Sequence, residues 1–265
     1  MFRFDYHRAT SLEDARATFD AAEDGVFLAG GMTLIPTLKQ RLAMPSDLVD
    51  LAGVEALRGI TLEADHVEIG AMVPHGDVAK SQAVRDAIPA LAILAGDIGD
   101  PMVRARGTLG GSVANNDPAA DYPGAVLGLG ATIQTDRREI LADDFFTAMF
   151  ETALEDGELI TSIRFPRPER AAYVKFHNPA SRYAIAGVFV AQLGEKVRVA
   201  VTGAGPTVFR HREMEQALER RFAPDALEGI AVDAGPLNSD MHASADFRAH
   251  LVKVMAVRAV VQALK

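Results

Sequence analysis

Two pairs of adjacent glycines mark where this chain could do chemistry. Gly30 and Gly31 lie in FLAGGMTLIPTLKQRL, residues 27–42, between an apolar strand-like run and a helix-like run. At such a handover the backbone N–H groups of a turn and of a helix start converge, and glycine lets an anionic oxygen approach without a Cβ in its path. The chemistry this suggests is phosphate binding. One such turn carries little weight, because Gly-Gly between a strand and a helix is also plain turn chemistry. A second pair, Gly110 and Gly111, sits in RGTLGGSVANNDPAAD (106–121), flanked by the small hydroxyl residues Thr108 and Ser112. Two loops of this kind could grip both ends of a diphosphate, or the diphosphate and adjoining ribose, of one dinucleotide. The dinucleotide fingerprint, with glycines first, third and sixth and an acid about 20 residues on, is absent, and so is a Walker-type lysine loop. A site here is of a non-Rossmann kind.

Composition narrows the alternatives. The 265 residues include no Cys, which removes disulfides, thiolate nucleophiles and thiolate-ligated iron-sulfur clusters at once, so any redox centre must be a bound organic cofactor. The formal net charge of -9 argues against a nucleic-acid partner, whose phosphates require Lys and Arg. The seven histidines show no HxH, HxxxH or HxxE spacing, so no metal site is expected. No GxSxG elbow accompanies the serine of ASRY, and no proton-abstracting dyad is evident. With neither a signal core nor a spanning apolar stretch, the chain is expected to be cytoplasmic, unless a partner subunit carries an export signal.

Elements must position the two loops. SLEDARATFDAAE (11–23) reads as a helix with Ser11 as N-cap and Leu12, Ala15, Phe19 and Ala22 at helical spacing. VFLAG and LVDLAGV read as short strands around TLIPTLKQRLA, a helix expected to begin near Thr33 because Pro36 is tolerable only in a first turn. This makes a small β-α-β lobe over residues 1–55. A second lobe, 56–166, is expected to open with a hairpin and continue through helices and the glycine-rich segment, with a helix ending at Gly130. FPRPER is the linker candidate. A third lobe, 171–265, shows strands AYVKFHN and VRVAVTGAGP, a charged helix RHREMEQALERRF, and a terminal helix from about residue 244. In that helix Phe247, Leu251, Val254, Arg258, Val261 and Leu264 form the expected apolar stripe. EILADDFF reads as a solvated turn, and Met241 and Met255 as packing residues.

At this point the chain resembles a known family. AGGMTLIPTLK (29–39) and RGTLGGSVANNDPAADYP (106–123) are similar to the two flavin loops of the FAD-binding medium subunits of molybdenum hydroxylases, the carbon monoxide dehydrogenase and xanthine dehydrogenase family. KFHNPASRYAIAGV (175–188) and ADFRAHLVKVMAVRAV (245–260) are similar to the C-terminal signatures of that family. The resemblance spans nearly the whole chain. It implies an α+β fold: a two-lobe FAD-binding domain of the PCMH type, related to vanillyl-alcohol oxidase, plus a small C-terminal α+β domain. It also implies one non-covalent FAD, since attachment through Cys is impossible here.

Carried over by position, the resemblance makes Ala29, Gly30, Gly31, Met32, Thr33 and Leu34 the first cradle and Thr108, Leu109, Gly110, Gly111 and Ser112 the second. Asp121 aligns with an acid near the adenosine moiety, where a carboxylate accepts from ribose hydroxyls; the alternative is that it N-caps the helix of YPGAVLGL, with Pro123 in its first turn. Lys175 and Tyr183 match positions near the flavin. A lysine there would stabilise an anionic reduced ring and a tyrosine would cover its face, whereas in ordinary folds such residues are a solvated edge lysine and a core aromatic. Met32, Thr33 and Ser112 depart from the residues usual in relatives, which touches side-chain contacts and leaves main-chain donors in place.

The resemblance implies a subunit that takes electrons from iron-sulfur clusters and passes them to an external acceptor. The molybdenum cofactor and the two-iron two-sulfur clusters would sit on a large and a small partner subunit, in a heterotrimer expected to be doubled. Two other readings stay open: a self-sufficient flavin oxidoreductase, which needs an acid or base that the short C-terminal lobe does not evidently offer, and a flavin-free assembly module.

Overall fold

The computed structural model describes residues Met1–Lys265. The N-terminal lobe comprises strand β1 (Asp5–Arg8), helix α1 (Leu12–Ala21), β2 (Gly25–Leu28), α2 (Leu34–Lys39) and β3 (Asp47–Asp50). Its three strands pair in parallel in the order β1-β3-β2. Ser11 caps α1 as its spacing suggests, its hydroxyl accepting from the Asp14 N–H at 3.1 Å. Strand β1, a short run of four residues, completes the sheet beside β3. Ala15, Val49, Leu51 and Val54 fill the space between helix and sheet.

The second lobe opens with a hairpin, β4 (Ile60–Leu62) and β5 (His66–Gly70). Six helices follow: α3 (His75–Lys80), α4 (Gln82–Ala87), α5 (Pro89–Gly96), α6 (Pro101–Arg106), α7 (Leu109–Asn115) and α8 (Tyr122–Leu129). The chain then returns as β6 (Thr132–Thr135), β7 (Glu139–Leu141), the short α9 (Ala142–Phe145), the β8–β9 ribbon (Phe146–Ala148, Glu151–Thr152) and β10 (Ile160–Pro166). Strands of this lobe pair antiparallel in the order β4-β5-β10-β6-β7. Helix α8 is buried all round and ends at Gly130, whose φ of +63° supplies the left-handed stop.

The C-terminal part contains β11 (Arg170–His177), β12 (Ala184–Leu193), β13 (Lys196–Thr202), β14 (Phe209–Arg210), α10 (Arg212–Arg220) and α11 (Ala245–Ala263). Its sheet, in the order β11-β12-β13-β14, is sandwiched between α11 on one face and α8 of the second lobe on the other. Phe189 and Ala191 of β12 join the core around α8, while Val188 and Val190 join the core around α11. The hydrophobic interior therefore continues from the second lobe into the C-terminal sheet.

Three expectations need correction. The buried stripe of α11 runs through Leu251, Val252, Met255, Ala256, Ala259 and Val260, and Phe247, Val261 and Leu264 are left exposed. A helix with apolar residues on several faces has no unique stripe, and the sheet chose the one with small residues, which let the helix approach closely. EILADDFF is no solvated turn: Phe145 is wholly buried, and Asp143 accepts hydrogen bonds from Arg198 (2.8 Å) and Arg210 (3.0 Å), joining α9 to the C-terminal sheet. Met255 packs in the core, but Met241 is 93% exposed on a loop.

Candidate functional site

The two glycine turns meet. A Cβ on Gly30 would lie 2.1 Å from the Arg106 carbonyl oxygen and 2.8 Å from Cα of Gly107, so the first turn rests on the backbone that leads into the second. Gly110 is pressed in the same way onto Ala71, and a Cβ on Gly111 would fall 3.2 Å from Cβ of Ala29. Most of these glycines are therefore small because the two loops touch each other and the β5 end. The reason differs from the one the sequence suggested, since protein rather than ligand occupies the space. Gly31 is glycine for its backbone, with φ at +72°.

A cleft of about 690 Å³ opens along this junction, within the usual range for a small-molecule or cofactor site. Ala29, Gly30, Gly31, Met32, Thr33 and Leu34 all line it. The N–H groups of Ala29, Gly30, Gly31, Met32 and Thr33 find no acceptor within the protein, and that of Leu34, first in its helix, has no intrahelical partner. A left-handed residue among ordinary ones turns successive N–H groups toward a common side, the nest geometry that holds anions. Helix α2 has six residues and α7 seven, so the attraction for an anion resides in these turn amides more than in a helix macrodipole.

The second glycine pair is not in a loop but in the first turn of helix α7, and it plays a different part. Thr108, Gly110, Gly111 and Ser112 line the cleft, but Leu109 is fully buried behind it. Its donors are mostly committed: Leu109 N–H bonds the Val73 carbonyl at 3.0 Å, Gly110 N–H the Ala71 carbonyl at 2.8 Å, and Ser112 N–H the Thr108 carbonyl at 3.0 Å. Thr108 caps α7, its hydroxyl accepting from Gly111 N–H at 3.2 Å. What this helix start presents is a wall with Ser112 on it, while the first turn presents the open donors.

Asp121 also lines the cleft, at 4% exposure. It makes no side-chain cap on α8, so the capping alternative does not hold. Instead its carboxylate accepts from the Tyr173 hydroxyl and, at 3.0 Å, from Lys175 Nζ. Burial raises its pKa against the pull of Lys175 and Tyr173. Lys175 is neither a solvated edge lysine nor a wall of the cleft. Its side chain is 1% exposed, and its ammonium bonds Asp121 and the Asp97 carbonyl oxygen, both at 3.0 Å. Lys175 thus stands behind Asp121, with all its visible partners in the protein.

Tyr183 lies at the mouth of the cleft, 44% exposed, on a turn closed by Asn178 N–H to the Tyr183 carbonyl and Arg182 N–H to the Asn178 carbonyl, both 2.8 Å. Partial burial, then the charges of Asp117 and Asp121, push its phenol pKa up, so the ring is neutral. The turn is tied to the second lobe through Asp97, whose carboxylate pairs with His177 at 2.6 Å and Arg182 at 3.1 Å. Sequence reasoning passed over several lining residues. Among them, Asp117 has a pKa raised by burial and follows the left-handed Asn116. His75 and Glu158 line the cleft too. Burial opposes ionisation of Glu158, but Arg138, the Glu155 N–H and Thr135 outweigh it and hold the carboxyl at about 2. Only Asp117 had a local signal, the turn-forming NNDP in which it sits.

The described chain contains no group of His, Asp and Glu suited to a metal, and no helix long and apolar enough to cross a membrane. The cleft suits a ligand with an anionic centre: it is lined by open amides, by the aromatic Tyr183, and by the apolar Val26, Phe27 and Leu51. FAD has this layout, and the donor set suits its diphosphate.

Comparisons with known proteins agree with that layout. Residues 2–168 match the family model described as the FAD binding domain in molybdopterin dehydrogenase, and residues 171–263 match the CO dehydrogenase flavoprotein C-terminal domain. The nicotine 6-hydroxylase medium subunit of Paenarthrobacter nicotinovorans is 34% identical over 274 residues, covering 97% of this chain and 96% of that protein. The carbon monoxide dehydrogenase medium chain of Hydrogenophaga pseudoflava is 33% identical over 275 residues, with the same coverage. Among solved structures, carbon monoxide dehydrogenase from that organism, lacking the Mo-pyranopterin moiety, superposes with a TM-score of 0.87 at 32% identity, over 99% of this chain and 97% of that one. Quinoline 2-oxidoreductase from Pseudomonas putida 86 gives 0.86 at 28% identity, over 98% and 96%.

Proposed function

The chain belongs to the FAD-binding flavoprotein family of molybdopterin dehydrogenases, and from that premise we propose that it is the electron-transfer subunit of a molybdenum-containing hydroxylase or dehydrogenase complex. The observation that carries this reading is the row of unpartnered amides, Ala29 to Thr33, lining a cleft whose other wall is the Thr108–Ser112 loop. Bound flavin supplies the ability to take up electrons one at a time and hand them on. The protein's own residues do the rest. The first cradle, Ala29, Gly30, Gly31, Met32, Thr33 and Leu34, donates to the diphosphate. Thr108, Gly110, Gly111 and Ser112 shape the opposing wall, with Leu109 anchoring it from behind. Asp121 accepts from ribose hydroxyls with whatever lone pairs Lys175 and Tyr173 leave free, and Tyr183 covers the exposed ring.

In this reading residues 1–55 and 56–166 are the two flavin-binding lobes and 171–265 the C-terminal domain. Relatives are named as medium subunits or chains, which implies partners. With no Cys in the chain, the iron-sulfur clusters belong to a small partner subunit and the molybdenum cofactor to a large one, in a cytoplasmic dimer of heterotrimers. Neither alternative raised by the sequence gains support. The relatives it matches over nearly their whole length are medium subunits or chains, and its open amides suit a ligand rather than bare assembly.

The proposal is tested by co-expressing the chain with its large and small partner subunits and assaying the purified complex. One FAD per copy of this chain, released intact by acid, is expected. A fully assembled complex without flavin would make the chain an assembly module. Turnover of an organic substrate by the chain alone would make it a self-sufficient oxidoreductase.

A further inference from the structure

His75 begins α3, lines the cleft and is 5% exposed. Its imidazole packs on Tyr122, with ring centroids 5.2 Å apart. Nδ1 is completely buried and has no hydrogen-bond partner. Nε2 also bonds nothing in the protein, and it lies directly beneath Gly107, where a Cβ would come within 2.6 Å of it. A Cβ on Gly30 would approach the same Gly107, 2.8 Å from its Cα, and both His75 and Gly107 line the cleft, so Nε2 lies under the contact between the two glycine segments. The backbone holds the ring there: His75 N–H bonds the Gly107 carbonyl at 2.9 Å.

A buried imidazole with both nitrogens unpaired is costly unless something satisfies it. Burial, and after it the nearby Arg104 charge, lower its pKa to about 4, so at neutral pH the ring is uncharged and has one N–H. Neutral imidazole ordinarily carries that proton on Nε2. Placing it on Nδ1 would bury an N–H with no acceptor, the rarer kind of unsatisfied group. A proton on Nε2 instead lies under Gly107 at the junction of the two glycine segments, where a ligand in the cleft can supply the acceptor.

We infer that His75 is a further cofactor-binding residue, whose Nε2–H donates a hydrogen bond to an oxygen of the dinucleotide bound at the loop junction. The inference rests on the FAD reading of the cleft. It adds a side-chain donor to a cradle otherwise built from main chain, and it explains why residue 107 has no side chain.

Two measurements on the full chain test it. In FAD titrations followed by flavin fluorescence, His75→Met is expected to weaken binding by roughly ten- to hundredfold at unchanged melting temperature. His75→Gln, which keeps an N–H near the Nε2 position, is expected to stay within about threefold of wild type. Wild-type affinity in His75→Met, or equal loss in both variants, would overturn the inference while leaving FAD binding by the wild-type chain untouched. The second measurement does not depend on how the variants fold. Long-range 15N–1H spectra of the histidine-labelled wild-type chain should show the Nε2–H tautomer, with the Nε2 resonance moving when FAD is added. A proton on Nδ1, or no movement at saturating FAD, would overturn it equally.

Discussion

Replacing Gly30 by alanine is expected to weaken FAD binding by roughly a hundredfold or more, and replacing the adjacent Gly31 by alanine by less than about tenfold. The contrast follows from what each missing Cβ would meet. At Gly30 it would fall 2.1 Å from the Arg106 carbonyl oxygen and 2.8 Å from the Gly107 Cα, both main chain, so relief requires the two loops to part. Overpacking against backbone of this kind costs about 1–3 kcal/mol in stability, and it also splays the cradle away from its opposing wall. At Gly31 the nearest atom would be Cγ1 of Ile35 at 3.0 Å, a side chain that can rotate aside, and the remaining cost is the +72° φ, worth about 1–2 kcal/mol. Dissociation constants from flavin fluorescence decide it. Equal effects at the two positions would mean that loop contact is not what organises the site.

The second large effect is expected at Lys175. Exchange for methionine should lower the melting temperature by roughly 10 °C, because removing one partner of a buried pair leaves the other charge uncompensated at a cost of about 3–5 kcal/mol. The charge left behind is Asp121, 4% exposed, with only the Tyr173 hydroxyl still bonded to it. Adding Asp121→Asn to Lys175→Met should recover most of the loss, since the stranded carboxylate is then gone. The pair joins β11 of the C-terminal sheet to the residue before α8, so the damage should spread across that junction. Circular dichroism melts test both variants. A single Lys175→Met variant that melts within a degree or so of wild type would show that the ion pair is not structural and would reopen a direct role for Lys175 at the flavin.

These two cases also show what was legible in the residues alone. Both glycine pairs are legible from local pattern, but only the first is strand-Gly-Gly-helix; Gly110 and Gly111 lie in the first turn of α7, following a helix rather than a strand. Their contact is not legible there, since Gly30 is small on account of Arg106 and Gly107, more than seventy positions away. Ser11 as a cap and Gly130 as a stop were readable for the same local reason. Lys175 gave no hint of its partner, as nothing in AYVKFHN points to an acid 54 residues earlier. Strand β12 escaped notice because AIAGVFVAQL is buried on both faces, which removes the alternation that marks a strand. The stripe of α11 was misplaced because several of its faces are apolar, and only the sheet beneath settles which one turns inward. The sequence around His75 bears only on metal-ligand spacing; its burial and its position under Gly107 exist only in three dimensions.

The central claim is that the open amides of Ala29 to Thr33 hold the cofactor's diphosphate, and amide hydrogen exchange with and without FAD tests it most directly. FAD is expected to slow exchange strongly across Ala29–Leu34, while Leu109 and Gly110, whose N–H groups are already bonded to Val73 and Ala71, change little. Unchanged exchange over the first turn in a protein shown to carry FAD would contradict the claim.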